Sequence, residues 1–291
     1  MTIPRSFGTH SGTFHADEVT ACALLLLFDF IDIQNVFRTR DLCILEKCQY
    51  VCDVGGIYDP RLLKFDHHQA TYRGELSSAG MIWLHFKEQK IITDEVYTHF
   101  NKLLIHGIDA HDNGRSEADH GICTFSNVIS NFVPIEYDAL EKDQDDAFLQ
   151  AVKFTLGHLD RMLKRFSYVQ SCKQKVLDAM ALKQKYLYFD QALPWIDTFF
   201  ENGGENHPAL FVIMPSGSHW KLRGIPPTSF DRMKVRVPLP ETWAGLLDEE
   251  LKKVSGIQGG IFCHKGRFIS VWEDRDSAFK ALKEILDKEH L

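Results

Sequence analysis

A two-part α/β protein is predicted by three observations. Short apolar runs alternate with helical patterns through residue 115. An apolar stripe of helical period covers Phe148, Val152, Leu156, Leu159 and Leu163. The last hundred residues carry several short strand patterns with their own turns. Strands that alternate with helices predict a mainly parallel sheet with flanking helices for the first part. The last part reads as a smaller α+β domain. The boundaries fall at 1–140, at 141–185 for a helical connection, and at 186–291.

The chain has 291 residues, 44% of them hydrophobic and 25% charged, so it can bury a substantial core. Its net charge of -7 argues against coating nucleic acid by bulk electrostatics and leaves a local basic groove open. The seven cysteines are scattered without Cys-x-x-Cys spacing, which predicts buried thiols in a reducing compartment rather than a zinc ribbon or redox motif. Only nine residues precede the first motif, and the apolar run Ala21 to Phe28 is short of the roughly 20 residues a membrane span needs. The expectation is a cytoplasmic protein with no membrane partner.

In order, Ser6 to Thr9 reads as a strand that opens into His10-Ser-Gly-Thr-Phe-His15-Ala-Asp17-Glu18. Val19 to Phe28, rich in Ala and Leu, reads as a buried helix. Asn35 to Asp41 is a second strand with a charged exit, and Tyr50-Val-Cys-Asp53-Val-Gly55-Gly56 a third. The two glycines permit a sharp turn beside Asp53. Leu63 to His67 is the fourth strand and runs into Asp66-His67-His68. A helix starts at the N-cap residues Ser77-Ser78, and another covers Thr93 to His106 before a loop, Gly107 to Gly114. Further on, Leu210 to Met214 pairs with His219 to Arg223, Trp243 to Val254 is an amphipathic helix, and Gly259 to Trp272 holds a hairpin. A charged helix closes the chain at Ser277 to Glu289.

The chemistry gathers at the ends of the first four runs. His10, His15, Asp17, Asp53, His67 and Asp109 supply three imidazoles and three carboxylates, with Asp66, His68, His111 and Asp112 beside them. Two divalent ions about 4 Å apart need a bridging carboxylate and several more nitrogen or oxygen donors, and this set is large enough. Imidazole favours Mn²⁺, Co²⁺, Fe²⁺ or Zn²⁺ over Mg²⁺. Any one histidine alone is better explained as a turn or core residue; four independent positions together are not.

These residues carry a resemblance. Asp66-His67-His68 is similar to the signature of the DHH phosphoesterase superfamily. Gly8 to Glu18, Arg38 to Asp41, Asp53 to Gly56, Gly107 to Gly114, Ser126 to Asn131 and Val237 to Pro240 resemble the melanocyte-proliferating-gene family over nearly the whole chain. The resemblance implies a DHH-like catalytic domain and a DHH-associated-like substrate domain, with the active site in the cleft between them. It also implies a metal-dependent 3′-to-5′ exonuclease acting on short single-stranded RNA or an oligonucleotide, through two metals, with Mn²⁺ preferred. His10 and His15 with Asp53 would hold one ion. Asp17, Asp53, His67 and Asp109 would hold the other, with Asp53 as the bridge and Asp112 as a rival to Asp109. The superfamily's first motif has a carboxylate where this chain has His15, which bears on metal identity.

His68 is a candidate proton donor to the leaving group, or else a hydrogen-bonding support, and Asp66 orients a neighbour. Arg38 and Arg40 alternate along a strand and so face one side; they clamp phosphate if that side is the cleft, and are a solvated face if not. Gly259 and Gly260 with His264 resemble the glycine pair of the substrate domain, although a plain β-bulge explains two glycines equally. Lys221, Arg223, Arg232, Lys234 and Arg236, with Trp220 and Phe230 among them, suit single-stranded nucleic acid, or equally a sheet face whose cations snorkel over apolar neighbours. Two other functions compete. One is a zinc deacetylase or amidohydrolase built on His15-Ala-Asp17-Glu18; the other is a non-catalytic RNA- or nucleotide-binding protein. The oligomeric state is open, a homodimer included.

Overall fold

The computed structural model describes residues 2–117, 120–231 and 233–288. The chain divides into two compact units, 1–166 and 167–291. In the first unit the elements are β1 (Ile3–Thr9), α1 (Ala16–Leu27), β2 (Val36–Arg38), α2 (Leu42–Leu45), β3 (Cys48–Cys52), β4 (Tyr58–Asp59), β5 (Lys64–Phe65), α3 (Ser78–Glu88), α4 (Asp94–Phe100), α5 (His106–Asp112), α6 (Phe125–Ser130) and the start of α7 (Glu141–Ala181).

The first sheet has the order β2-β1-β3-β5-β4 and is parallel except for β4, a two-residue edge strand antiparallel to β5. The expected mainly parallel sheet is therefore present. The chain leaves β1 to one side for β2 and returns to the other side for β3, so successive connections diverge at the β1/β3 carboxyl ends. Open α/β sheets form their ligand crevice at such a point. Helix α1 packs against α3, and ten of its residues, Ala16 to Leu25, are buried: an apolar run from Ala21 on, preceded by the buried carboxylates of Asp17 and Glu18. Phe7, Phe14, Leu24, Phe65, Trp83, Phe86, Phe100 and Phe148 form the centre of this core.

Two local expectations are corrected here. The fourth strand is only Lys64–Phe65, so Asp66, His67 and His68 lie in the loop beyond it. The helix expected to stop at His106 continues to Asp112, because a π turn at Asn101–Ile105 joins α4 to α5. Such turns insert a residue and rotate the helix beyond them, and they gather at functional sites.

The 41-residue helix α7 contains the division between the units. Phe148, Ala151, Val152 and Leu159 belong to the first core, whereas Cys172, Val176 and Met180 belong to a core of the second unit. It thus contributes to a hydrophobic core in each unit.

The second unit continues with β6 (Tyr186–Tyr188), α8 (Ile196–Glu201), β7 (Phe211–Ser216), β8 (His219–Gly224), α9 (Asp248–Ser255), β9 (Gly260–Cys263), β10 (Ile269–Trp272) and α10 (Arg275–Lys288). Its sheet, β6-β7-β8-β10-β9, is antiparallel except for the β6–β7 pair. Along β7, Phe211 and Ile213 enter one core with Trp243, Leu251 and Trp272, while Val212 and Met214 enter another with Leu187, Trp195 and Phe199. The sheet is buried on both faces by strict alternation. The helix expected from Trp243 starts only at Asp248, because Gly245 adopts φ 77° and interrupts it. Five cysteines are buried as expected, but Cys43 and Cys123 are exposed. Among the described residues no helix is long and apolar enough to cross a membrane.

Candidate metal centre

Three parallel strands deliver chemistry to one edge. His10 follows β1 directly, Asp53 follows β3, and Asp66 to His68 follow β5. They border a pocket of about 830 Å³ whose lining includes His10, His15, Arg40, Asp53, Asp66, His68, His111 and Asp112. Every lining residue belongs to the first unit.

Asp53 makes the turn with a left-handed backbone, φ 58°, followed by Gly55 and Gly56 at 94° and 68°. This conformation costs a non-glycine residue about 1 kcal/mol or more, and Asp is among the few that tolerate it. Its N–H still donates to the Phe65 carbonyl at 3.1 Å, so the residue remains tied to β5. Its carboxylate Oδ2 lies 3.2 Å from His10 Nε2, and its Oδ1 lies 3.4 Å from His67 Nε2 and 3.3 Å from His68 Nδ1. The two oxygens of one carboxylate therefore serve different histidines.

His10 Nε2 is also 3.1 Å from Glu18 Oε1. His10 Nδ1 lies 3.1 Å from the Ser11 carbonyl, which can only accept, so Nδ1 donates there and Nε2 faces the carboxylates. Burial opposes a charge on His10, but Asp53 and Glu18 outweigh it and push its pKa up to about 10. His67, opposed by burial in the same way, is pushed up to about 11 by Asp112 and Asp53. For Asp53 burial acts upward, yet His10 and His67 hold its carboxyl well below the usual carboxylate range. Asp17 and Glu18 are fully buried and raised by that burial, with repulsion from Asp53 added.

Asp17 is held by the start of α3: it accepts from Ser77 Oγ at 2.6 Å, Ser78 N at 2.9 Å and Ala79 N at 2.5 Å. A helix N-terminus is a natural seat for a carboxylate. Asp17 Oδ2 lies 4.0 Å from His67 Nε2. Asp66 accepts from Gly56 N at 2.6 Å through one oxygen and from His68 N at 3.0 Å through the other, which is also 2.9 Å from His68 Nδ1. It holds the loop and aims His68, whose side chain stays 64% exposed.

Among the described residues, potential donor atoms fall into three groups, each within 4.8 Å: His10, His15, Glu18 and Asp53; Asp53, His67 and His68; and Asp17, His67 and Asp112. Asp53 Oδ1, His67 Nε2 and Glu18 Oε2 are buried and make no hydrogen bond. Buried polar atoms are nearly always paired; Glu18 Oε2 is open to another partner, and Asp53 Oδ1 and His67 Nε2 have only contacts with neighbouring charged groups. The residues present thus fit divalent metal ions, with Asp53 common to two of the three groups.

One expected ligand is displaced. Asp109 is absent from all three groups; its Oδ1 accepts from Ser77 N at 3.0 Å and lies 2.7 Å from Ser77 Oγ. Asp112, three residues later on α5, places Oδ2 3.0 Å from His67 Nε2. In the sequence Asp109 is favoured because it directly follows the apolar run Leu103 to Ile108. As a helix, the segment turns both carboxylates inward and brings the later one to the imidazole.

The model of the MYG1 exonuclease family, described as an uncharacterised protein family (UPF0160), matches residues 6–286. This chain belongs to that family. It is 51% identical to a MYG1 protein of Chlamydia pneumoniae over 97% of each chain, and 31% identical to the human MYG1 exonuclease over 98% of this chain and 87% of the human one. Among solved structures, RecJ of Thermus thermophilus in complex with Mn²⁺ matches with a TM-score of 0.30 and 11% identity. That match covers 98% of this chain and 52% of RecJ.

Several residues expected to touch substrate are otherwise engaged in this MYG1 family member. Arg38 is buried, pairs with Asp145 at 2.8 Å, donates to the Gly12 carbonyl and lies over the rings of Phe14 and Phe148. Strand β2 ends at Arg38, so the alternation does not extend to Arg40, which is exposed and lines the pocket. Arg236 spends its guanidinium on the carbonyls of Gly204, His207, Ala209 and Pro226. Gly259 is packed so closely on Ser277 that a Cβ would come within 2.3 Å of its Oγ, and Gly260 sits against Leu251 at a register shift in the β9–β10 pair. Close packing and a bulge therefore account for both glycines. His264 Nδ1 accepts from Gly266 N at 2.9 Å and shapes the hairpin. Lys221 and Arg223 are half-buried on β8, Lys234 is 3.7 Å from Asp231, and Arg232 lies outside the described residues.

Glu18, Ser77 and Asn113 were not expected at the site. Glu18 has a sequence signal, its spacing three residues after the helix-capping His15, whose N–H it accepts at 2.9 Å. Ser77 was legible only as an N-cap, and Asn113 had no signal beyond its place next to Asp112.

Proposed function

We propose that this chain is a metal-dependent phosphodiesterase that removes nucleotides from the 3′ end of short single-stranded RNA with the help of two divalent ions. The observation that carries this reading is the shared carboxylate of Asp53, with one oxygen turned to His10 and the other to His67. The exonuclease names of the human and rat relatives and the Asp66-His67-His68 signature add support. We assign His10, His15, Glu18 and Asp53 to one ion and Asp17, Asp53, His67 and Asp112 to the other. A donor set of imidazoles and carboxylates suits Mn²⁺ best, with Zn²⁺, Co²⁺, Fe²⁺ and Mg²⁺ as alternatives.

Divalent ions at such paired sites supply positive charge for the phosphoryl oxygens and lower the pKa of a water. The chain's own residues do the rest. Arg40 at the pocket wall binds a phosphate oxygen. His68, aimed by Asp66, holds a proton for the leaving oxygen. Ser11, Gly12, Thr13, Gly55 and Gly56 line the pocket with small side chains, and no Phe, Tyr or Trp is among the described lining residues. These small side chains and backbone groups leave room for a phosphate and its sugar beside Arg40.

The test is incubation with Mn²⁺ and a 5′-labelled oligoribonucleotide. A ladder that shortens from the 3′ end, with release of mononucleotides, is expected. Absence of cleavage together with hydrolysis of an N-acetyl sugar would replace this reading with a deacetylase.

A further inference from the structure

Asn113 caps the C-terminal end of α5, directly after Asp112. Its Nδ2 donates to the carbonyl of Asp109 at 2.9 Å and to that of Glu75 at 3.2 Å. Both are acceptors only, so the amide nitrogen is fixed on their side. The amide oxygen is left 3.2 Å from His67 Nδ1, where it can only accept. That contact commits the Nδ1 proton of the ring. The lone pair of a neutral His67 then lies on Nε2, the buried atom that makes no hydrogen bond and faces Asp112, Asp53 and Asp17.

We infer that Asn113 is a positioning residue that sets which His67 nitrogen is free to ligate and holds the ring in place for a metal ion. One helix end thereby delivers two things at adjacent positions: the Asp112 carboxylate and the acceptor that orients the imidazole opposite it. Partners of this kind, which bind the far nitrogen of a ligating histidine, typically change metal affinity by about 10–100-fold. The inference rests on His67 being a metal ligand, as proposed above.

The experiment titrates Mn²⁺ calorimetrically into metal-free wild type, Asn113→Ala and Asn113→Asp, with thermal unfolding of each metal-free protein alongside. Asn113→Ala should weaken one of two binding steps by about 10–100-fold and leave the other in place. Asn113→Asp keeps an acceptor for Nδ1–H but loses both donations, so it should unfold at a lower temperature yet bind Mn²⁺ more tightly than Asn113→Ala. A purely structural asparagine would make affinity follow unfolding temperature across the variants, and that result would overturn the inference. Binding by Asn113→Ala within roughly twofold of wild type would overturn it too. Wild-type protein that binds no Mn²⁺ would overturn the ligand assignment itself, an outcome distinguishable from the other two.

Discussion

Asp112 meets His67 at 3.0 Å, a carboxylate from the end of a helix against an imidazole from the loop after a strand. The nearer-looking Asp109 points instead at Ser77. Asp112→Asn should therefore remove a ligand, weakening Mn²⁺ binding and lowering hydrolysis by about 100-fold or more, since a metal's charge contributes several kcal/mol to such transition states. An amide oxygen in its place can still face Ser77 N and Oγ, the partners of Asp109 Oδ1. Asp109→Asn should cost about tenfold, clearly less than Asp112→Asn. Parallel calorimetry and single-turnover hydrolysis of both variants checks the order.

Arg38 links the loop between His10 and His15 to α7 through Gly12 and Asp145. Its ion pair contributes little, because the Asp145 side chain is 40% exposed. The larger losses in Arg38→Ala are the packing against Phe14 and Phe148 and the stranded Gly12 carbonyl. We expect a destabilisation of about 2 kcal/mol in urea unfolding. Arg38→Lys should recover only part of it, since an ammonium cannot span both partners with the same planar fork.

Part of the pH dependence of the metal-free protein, on the alkaline side, arises from two histidines. His10 and His67 have pKa values raised from 6.5 to about 10 and about 11. Their contribution to stability is full below pH 6.5 and is lost as pH rises through 10 and 11. Divalent ions must displace these protons from Nε2. Mn²⁺ binding near neutral pH should release protons, read as a dependence of the binding heat on buffer ionisation enthalpy, and affinity should climb with pH. Heats that are the same in all buffers would contradict this.

Gly259 should report on packing rather than on substrate. In Gly259→Ala the new Cβ would lie 2.3 Å from Ser277 Oγ and 2.7 Å from its Cβ. A destabilisation of about 1–3 kcal/mol is expected. The double variant with Ser277→Gly should be less destabilised than the two single effects summed, measured by urea unfolding as a double-mutant cycle.

What could be read from the sequence, and what could not, divides by the range of the interaction. His10, Asp53 and His67 were legible because an apolar run stops abruptly at each, and strand ends of a parallel sheet share one edge. The position of Asp112 beside His67 was not, because a π turn at Asn101–Ile105 carries the helix past its expected end. Arg38 read equally well as a phosphate clamp, since the partner that occupies it, Asp145, is 107 residues away. Asp53 announced itself by its glycines, but not the left-handed backbone it adopts before them. Gly259 and Gly260 matched a ligand-binding pattern because close packing against Ser277 and Leu251 selects the same residue type.

The central claim is that Asp53 bridges two ions, and anomalous scattering from crystals soaked in Mn²⁺ tests it most directly. The account predicts two peaks about 4 Å apart, one beside Asp53 Oδ2 and His10 Nε2, the other beside Asp53 Oδ1 and His67 Nε2. Both peaks should weaken in Asp53→Asn. A single peak, or peaks that leave Asp53 untouched, would contradict it.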